Sequence, residues 1–371
     1  MTFKNGKKRP KTFGKFPIYG GNGILGYTDE WNNENCVVIG RVGAYCGSVF
    51  REYSKCWVSD NAICGISNNN NIEYLYYLLS SLQLNYRHIG TSQPLLTQEI
   101  LNNIQVKLPP YIIQNKIALI LRSLDDKIEL NNKINDNLQQ QIRTLCNAWL
   151  NDYAPFGGVC PDDWELTHLA SFAKFISGYS YKGNELQDSN IAMATIKSFD
   201  RKGGFKLDGY KEIVPSSKLK SGHHAELFDT LVAHTDLTQN AEVIGNAEPV
   251  LSLSGYDDII FSMDVVKVIP DTPAISKFLI AAMLQTQQFK DHCLGYVNGT
   301  TVLHLSKKAL PEYLLMLPRD FTVLKPLDDA VSSMYQQMAL NIDESVQLAT
   351  LRDSLLPKLM SGEINVSGIQ L

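Results

Sequence analysis

Apolar positions in this 371-residue chain recur at helical spacing for much longer than a compact domain requires. Between Tyr111 and Tyr153, Ile113, Ile117, Leu121, Leu124 and Ile128 are followed by Ile134, Leu138, Ile142, Leu145 and Trp149. Steps of three and four place them on one stripe of a helix. Pro109-Pro110 suits a helix start, and with no Gly or Pro inside, the stretch predicts a rod of roughly 60 Å. A similar stripe follows from Asp328 to Met360, through Val331, Met334, Met338, Ile342, Val346, Leu351, Leu355 and Leu359. Pro326 and Asp328 fit its first turn. Pro357 predicts a bend or an end, and Gly362 a stop. A narrow apolar stripe on so long a rod requires another helix. The two are therefore expected to pair, through Ile117, Leu121, Leu124, Ile128, Leu138, Ile142 and Leu145 on one and Met338, Ile342, Leu351 and Leu355 on the other.

Each long helix follows a mixed segment. In residues 1–110, turns at Asn5-Gly6, Gly20-Gly21 and Asn22-Gly23 lead into short strands at Cys36–Gly40, Gly47–Phe50 and Ala62–Ile66. A buried helix over Ile72–Leu84 and a strand ending at Leu108 complete it. After a Pro- and Gly-rich linker at Asp152–Asp163, strands are expected at Phe175–Gly178, Ile191–Ile196, Lys211–Val214, Thr230–His234, Pro249–Leu253 and Asp264–Ile269, and Tyr313–Leu317 returns the chain to the second long helix. One helix is expected over Lys277–Phe289. The organisation is a first module at 1–110, a long helix at 111–153, a second module at 161–325 and a second long helix at 326–362.

The modules repeat. Gly90-Thr91-Ser92, Leu96-Thr97, Leu101 and Leu108-Pro109 match Gly299-Thr300-Thr301, Leu305-Ser306, Leu310 and Leu317-Pro318 at a constant offset of 209 residues. Phe3-Lys-Asn-Gly6 resembles Phe175-Ile-Ser-Gly178, but only the second copy is preceded by a segment such as Trp164–Leu169. The first copy thus reads as short of about a dozen opening residues, through drift or truncation. Two modules, each followed by a long helix, predict an α/β (mixed α+β) pseudo-twofold protein whose helices form an antiparallel coiled coil if each module caps one end.

Composition narrows the function. The first residues are basic rather than apolar, and no run is long and apolar enough for a bilayer span, so no signal peptide or membrane role is expected. Seven cysteines without metal-site or redox spacing point to a reducing cytoplasm. The net charge is −4, yet the first twenty residues carry Lys4, Lys7, Lys8, Arg9, Lys11 and Lys15 and no acid. A local positive face of this kind suits phosphate contacts. Gly21-Asn-Gly-Ile-Leu-Gly26 satisfies GxGxxG formally but leads into no helical stripe, so it reads as turns. Leu108-Pro-Pro-Tyr111 lacks the hydrogen-bond acceptor that an amino-methyltransferase loop needs. The scattered histidines, including His223-His224, match no metal spacing, and Asp125-Asp126 and Asp328-Asp329 read as solvated helix faces. No catalytic or metal site and no cofactor in this chain are expected.

With these features together, the chain resembles the specificity subunit of type I restriction–modification systems. The resemblance is carried by Gly14–Gly26, Leu108-Pro-Pro with Gln114, Asn135–Leu138 running to Trp149, Pro161-Asp-Asp-Trp-Glu165 and Leu351–Glu363. It implies a non-catalytic subunit whose two target-recognition domains each read half of a split site in double-stranded DNA. It also implies a coiled-coil ruler that docks two methyltransferase subunits using S-adenosylmethionine, with endonuclease subunits as possible further partners. Lengthening both long helices by a turn or two should then lengthen the recognised spacer. DNA candidates in the first module are Lys7, Lys8, Arg9, Lys11 and Lys15 for phosphates, with Arg41, Tyr45 and the turn from Arg87 and His88 to Gln93. Lys197, Arg201, Lys202, Lys206, Thr300 and Thr301 occupy comparable loops in the second. The alternative is a non-catalytic structural or assembly protein that dimerises through its coiled coil.

Overall fold

The structure is a computed structural model and describes residues 1–90 and 93–369. Thr91 and Ser92 of the repeated Gly-Thr-Ser turn lie outside the described residues. The chain forms two compact units, Met1–Ile128 with Gln347–Leu371, and Glu129–Val346.

Unit 1 carries β1 (Thr2–Asn5), β2 (Phe16–Gly20), β3 (Gly23–Thr28), β4 (Asn33–Gly40), β5 (Val49–Val58) and β6 (Ala62–Ile66) in one sheet, ordered β1-β6-β4-β5-β2-β3. The unbroken run Cys36-Val-Val-Ile39 is explained by burial of both faces of β4. Cys36 and Val38 pack with Tyr19, Cys56, Val58 and Cys64, while Val37 and Ile39 pack with Ile63, Leu79, Leu84 and Leu96. The glycine-rich stretch read as turns contains the β2–β3 hairpin, whose Gly23 has φ +81°. The GxGxxG string lies on this hairpin and runs into a strand. Helix α1 (Ile72–Ser81) is capped by Asn71, and α2 (Gln98–Asn102) by Thr97. The strand expected to end at Leu108 does not form: residues 103–110 have no regular structure, and no described strand pairs with them. Helix α3 (Tyr111–Leu150) follows.

Unit 2 distributes its strands over smaller sheets. Among them are β7 (Trp164–His168), β8 (Ala173–Ser177), β9 (Ile191–Ala194), β10 (Lys211–Glu212), β11 (Thr230–Ala233) and β12 (Thr235–Asp236). They are followed by β13 (Ala247–Pro249), β14 (Asp258–Phe261) and β15 (Val265–Pro270). Sheets run β13-β11-β15-β8 and β10-β9-β14. The single helix expected at Lys277–Phe289 is two, α4 (Lys277–Leu284) and α5 (Gln287–Leu294). The break comes at Thr286, whose hydroxyl accepts from Phe289 N and starts a new helix. Then β17 (Leu303–Leu305) pairs with β12 on one side and with β16 (Val297–Asn298) on the other, and β18 (Leu314–Pro318) pairs with β7. Helix α6 (Lys325–Ser361) continues through Pro357, so of the expected bend or end the end does not occur there, and it stops at Gly362, which has φ +79°. Pro357 lies near the end, where few following turns depend on it.

The repeat is visible in backbone detail. Gly90 and Gly299 both have positive φ, and a Cβ would fall 2.7 Å from Gln93 O and 2.2 Å from Val302 O, respectively. Gly6 and Gly178 likewise face a backbone carbonyl, that of Ser59 or Ser262.

The long helices pair in opposite directions within each unit. In unit 1, Lys116 Nζ donates to Ser367 O and Ile369 O just beyond α6, and further along α3 Asp125 Oδ1 accepts from Arg352 Nη1 at 2.7 Å. In unit 2, Asn131 Nδ2 reaches Asn341 O, Glu344 Oε2 and Ser345 Oγ. One turn on, Asn135 Oδ1 accepts from Asn341 Nδ2, and Asn135 Nδ2 donates to Met338 O. The helices therefore pair as a coiled-coil-like couple, with buried asparagines in the seam. Asp125 and Asp328 correct the expectation of a solvated acidic face. Asp125 is held by Arg352 and by Tyr77 OH at 2.6 Å, and Asp328 is buried against Ser276. Only Asp126 and Asp329 are exposed within their pairs.

Candidate nucleic-acid interface

In unit 1, Lys7, Lys8, Arg9, Lys11 and Lys15 are all exposed on the loop between β1 and β2. Lys7 pairs with Ser59 in a parallel bridge, and Trp57 Nε1 donates to Lys7 O at 3.3 Å. Farther along, Arg9 Nη2 donates to Leu25 O at 3.4 Å, and the Thr12 and Thr28 hydroxyls are 2.8 Å apart. The loop is thus pinned along β3. Its Phe13, which sequence reasoning passed over, is 92% exposed. The available signal was an aromatic residue placed inside a basic run.

A second group is assembled beside the end of β4. Leu96 N donates to Arg41 O, Gly43 N to Pro94 O, and Ile89 pairs with Leu95. These bonds bring the Arg41–Tyr45 loop against the segment carrying Arg87, His88 and Gln93. Tyr45, Arg87 and Gln93 are exposed, whereas Arg41 and His88 are half-buried. Arg41 Nη1 donates to Asp60 O at 3.4 Å, and Arg87 Nε donates to Leu82 O.

In unit 2, Lys197, Arg201, Lys202 and Lys206 are exposed on the excursion between β9 and β10. Pairing of Phe199 with Phe205 closes it into a narrow loop. Arg201 meets Glu242 at 3.2 Å, and Gln239 Nε2 donates to Thr300 O. The Arg201 loop and the exposed Thr300-Thr301 turn therefore flank the same segment after β12. Arg201 and Lys202 line a cavity of about 560 Å³ with Arg143, Glu248 and Lys290. Burial pushes the Glu248 carboxyl up to about 7, although Gly204 N and Gln285 Nε2 both donate to it.

Of the residues proposed for the helix seam, Ile117, Leu121, Ile142 and Met338 are buried. Leu124, Ile128, Leu138, Leu145, Ile342 and Leu355 are half-buried, and Leu351 is 46% exposed. The asparagine layer was not anticipated. Its signal was the polar gap in the stripe between Ile128 and Ile134. Among the described residues, no group of three or more His, Cys, Asp or Glu side chains could hold a metal, and no helix is long and apolar enough to cross a membrane.

A family model described as the type I restriction modification DNA specificity domain matches residues 2–140. The MjaVIII type I restriction enzyme specificity subunit of Methanocaldococcus jannaschii is 23% identical, over 91% of this chain and 81% of its own length. The HindI specificity subunit of Haemophilus influenzae is 22% identical, over 81% and 79%. The EcoprrI specificity subunit of Escherichia coli is 31% identical over a shorter stretch, 30% of this chain and 28% of the relative. Among solved structures, the type I restriction–modification S subunit from M. genitalium aligns over 96% of this chain and 92% of its own. Its TM-score is 0.57 at 18% identity, a likeness of fold. A specificity-domain match at the start of the chain and relatives that span most of it lead to one conclusion: residues 2–140 match the type I restriction modification DNA specificity domain, and the chain is similar over most of its length to type I specificity subunits.

Proposed function

We propose that this chain is the non-catalytic, sequence-reading subunit of a type I complex, which directs adenine methyltransferase subunits to a split site in double-stranded DNA. The observation that carries the reading is the exposed cationic run from Lys7 to Lys15, laid along β3 without an acid in the first twenty residues. On a chain of net charge −4, such a concentration serves local contact with phosphates rather than general attraction to polyanions. Base edges carry the sequence information. The loops with Arg41, Tyr45, Arg87, His88 and Gln93, and with Lys197, Arg201, Lys202, Lys206, Thr300 and Thr301, are assigned to the two half-sites. S-adenosylmethionine binds in the methyltransferase partners, two of which join this chain, with endonuclease subunits where the system restricts. The complex acts in the cytoplasm, where host DNA is accessible.

The test is co-expression with the methyltransferase subunit of its system and mapping of N6-methyladenine across the host genome. A split motif with a fixed spacer that disappears when this chain is omitted is the expected result. A stable assembly with no sequence-specific methylation or binding would instead support a structural role.

A further inference from the structure

We propose that Phe13 is an aromatic wedge that enters the base stack of the half-site contacted by unit 1. This rests on the duplex-binding reading above and assigns a specificity-determining residue within it. Phe13 is the most exposed large apolar side chain among the described residues. Its position is held from both sides. Thr12 Oγ1 lies 2.8 Å from Thr28 Oγ1, and Gly14 sits so close to β3 that a Cβ there would be 2.2 Å from Asp29 N. The ring therefore projects from a fixed bend.

The surroundings specify the chemistry of the partner. Exposed Lys11 and Lys15 flank the ring at two residues' distance on either side, with Arg9 nearby on the same loop. The acid bonded to this bend is Glu30, which accepts from Thr12 Oγ1 at 3.4 Å. An apolar plate between cations fits a partner with an anionic outside and an apolar interior, as a duplex has between its phosphates and its stacked bases. Side chains of this type unstack base steps when bound phosphates hold them against the groove. The energy of opening a step depends on its sequence, pyrimidine–purine steps opening most easily. Phe13 would thus select sequence through deformability, without a hydrogen bond to a base.

The experiment uses the chain assembled with its methyltransferase subunits and duplexes carrying the mapped motif, with 2-aminopurine placed at successive positions. Binding of the wild type is expected to raise fluorescence at one step of the unit 1 half-site, separately from the rise at the flipped adenine. Phe13→Ala should abolish the first rise and retain the second. It should weaken binding by about tenfold at every salt concentration, the scale of a lost base–aromatic stack, without altering the salt slope. Lys11→Gln should instead reduce that slope by about one. Binding and methylation with no unstacked step, or with one that survives Phe13→Ala, overturn the wedge alone. Failure of the wild type to bind duplex in a salt-dependent way overturns both the wedge and the recognition reading. Binding to anionic lipid vesicles in place of duplex, lost in Phe13→Ala, would reassign the ring to a membrane surface.

Discussion

In unit 1 the short helix α1 is fastened to α3 by a neutral amide. Gln114 Oε1 accepts from Asn71 N at 3.0 Å, while its Nε2 donates to Asn70 Oδ1 and Pro109 O. In unit 2 the corresponding short helix α4 is fastened to α6 by a carboxylate, since Asp328 accepts from both the backbone N–H and the hydroxyl of Ser276. In both units the residue capping the short helix has its own N–H satisfied from the first turns of the long helix. The units differ in what lies beyond. Unit 1 adds a charged network in which Arg51 meets Glu73 and Asp125, and Asp125 also holds Arg352 and Tyr77. Unit 2 uses an apolar core containing Tyr335, Phe278 and Met338, crossed by the hydrogen-bonded chain Gly204–Glu248–Gln285–Tyr335. A repeated fold thus preserves which backbone groups must be satisfied while the side chains that satisfy them diverge.

That contrast can be broken most strongly at Asp125. Asp125→Ala leaves Arg352 and Arg51 without this half-buried partner and should destabilise unit 1 by about 3 kcal/mol. Hydrogen exchange at α1 and α6 residues of unit 1 should rise, with protection in the β11 and β15 strands of unit 2 retained.

A smaller effect separates the units by pH. Glu248 holds its proton up to about 7 in the folded state, against 4.5 ordinarily. Between those values the folded chain binds more protons than the unfolded one, so stability falls as pH rises. The decline between pH 5 and 7 should be on the order of 2 kcal/mol, and Glu248→Gln should remove it. Comparing urea unfolding of the variant and wild type across that range isolates Glu248 from His234, whose pKa burial lowers to about 4.

Gln114→Ala and Asp328→Ala should each cost about 1–2 kcal/mol through an unsatisfied helix-cap N–H. Local exchange should identify opposite units in the two variants; the same response from both would dissolve the comparison. The smallest change is Tyr335→Phe, which removes one hydrogen bond to Gln285 at constant shape and should cost about 1 kcal/mol. A cost near zero would show that the Glu248–Gln285 chain does not depend on its last member.

Much of this was legible from spacing. The stripes through Ile117, Leu121 and Ile142 and through Val331 and Met338 required two long helices with a partner each. The glycines at 6, 90, 178 and 299 signalled a repeat because each turn leaves no room for a side chain. Helix existence depends on local periodicity, which a sequence displays directly. The strand expected at Leu108 failed for the opposite reason. Its counterpart β18 is a strand because β7 lies beside it, and pairing is a property of two segments. Asp125 illustrates the same limit: beside Asp126 it looks solvated, and its ion-pair partners Arg51 and Arg352, the latter more than two hundred residues away in sequence, make it internal.

By itself the sequence determined the two helical rods, the duplicated modules, the basic opening loop and the family resemblance, since these follow from residue type and spacing along one strand of chain. Tertiary structure alone decided that Asn131, Asn135 and Asn341 form a polar layer in the seam, that Arg201 faces Glu242, and that Phe13 stands clear between two pinned neighbours. Burial, pairing and exposure are set by what the folded chain brings alongside a residue, and that neighbour is usually distant in sequence.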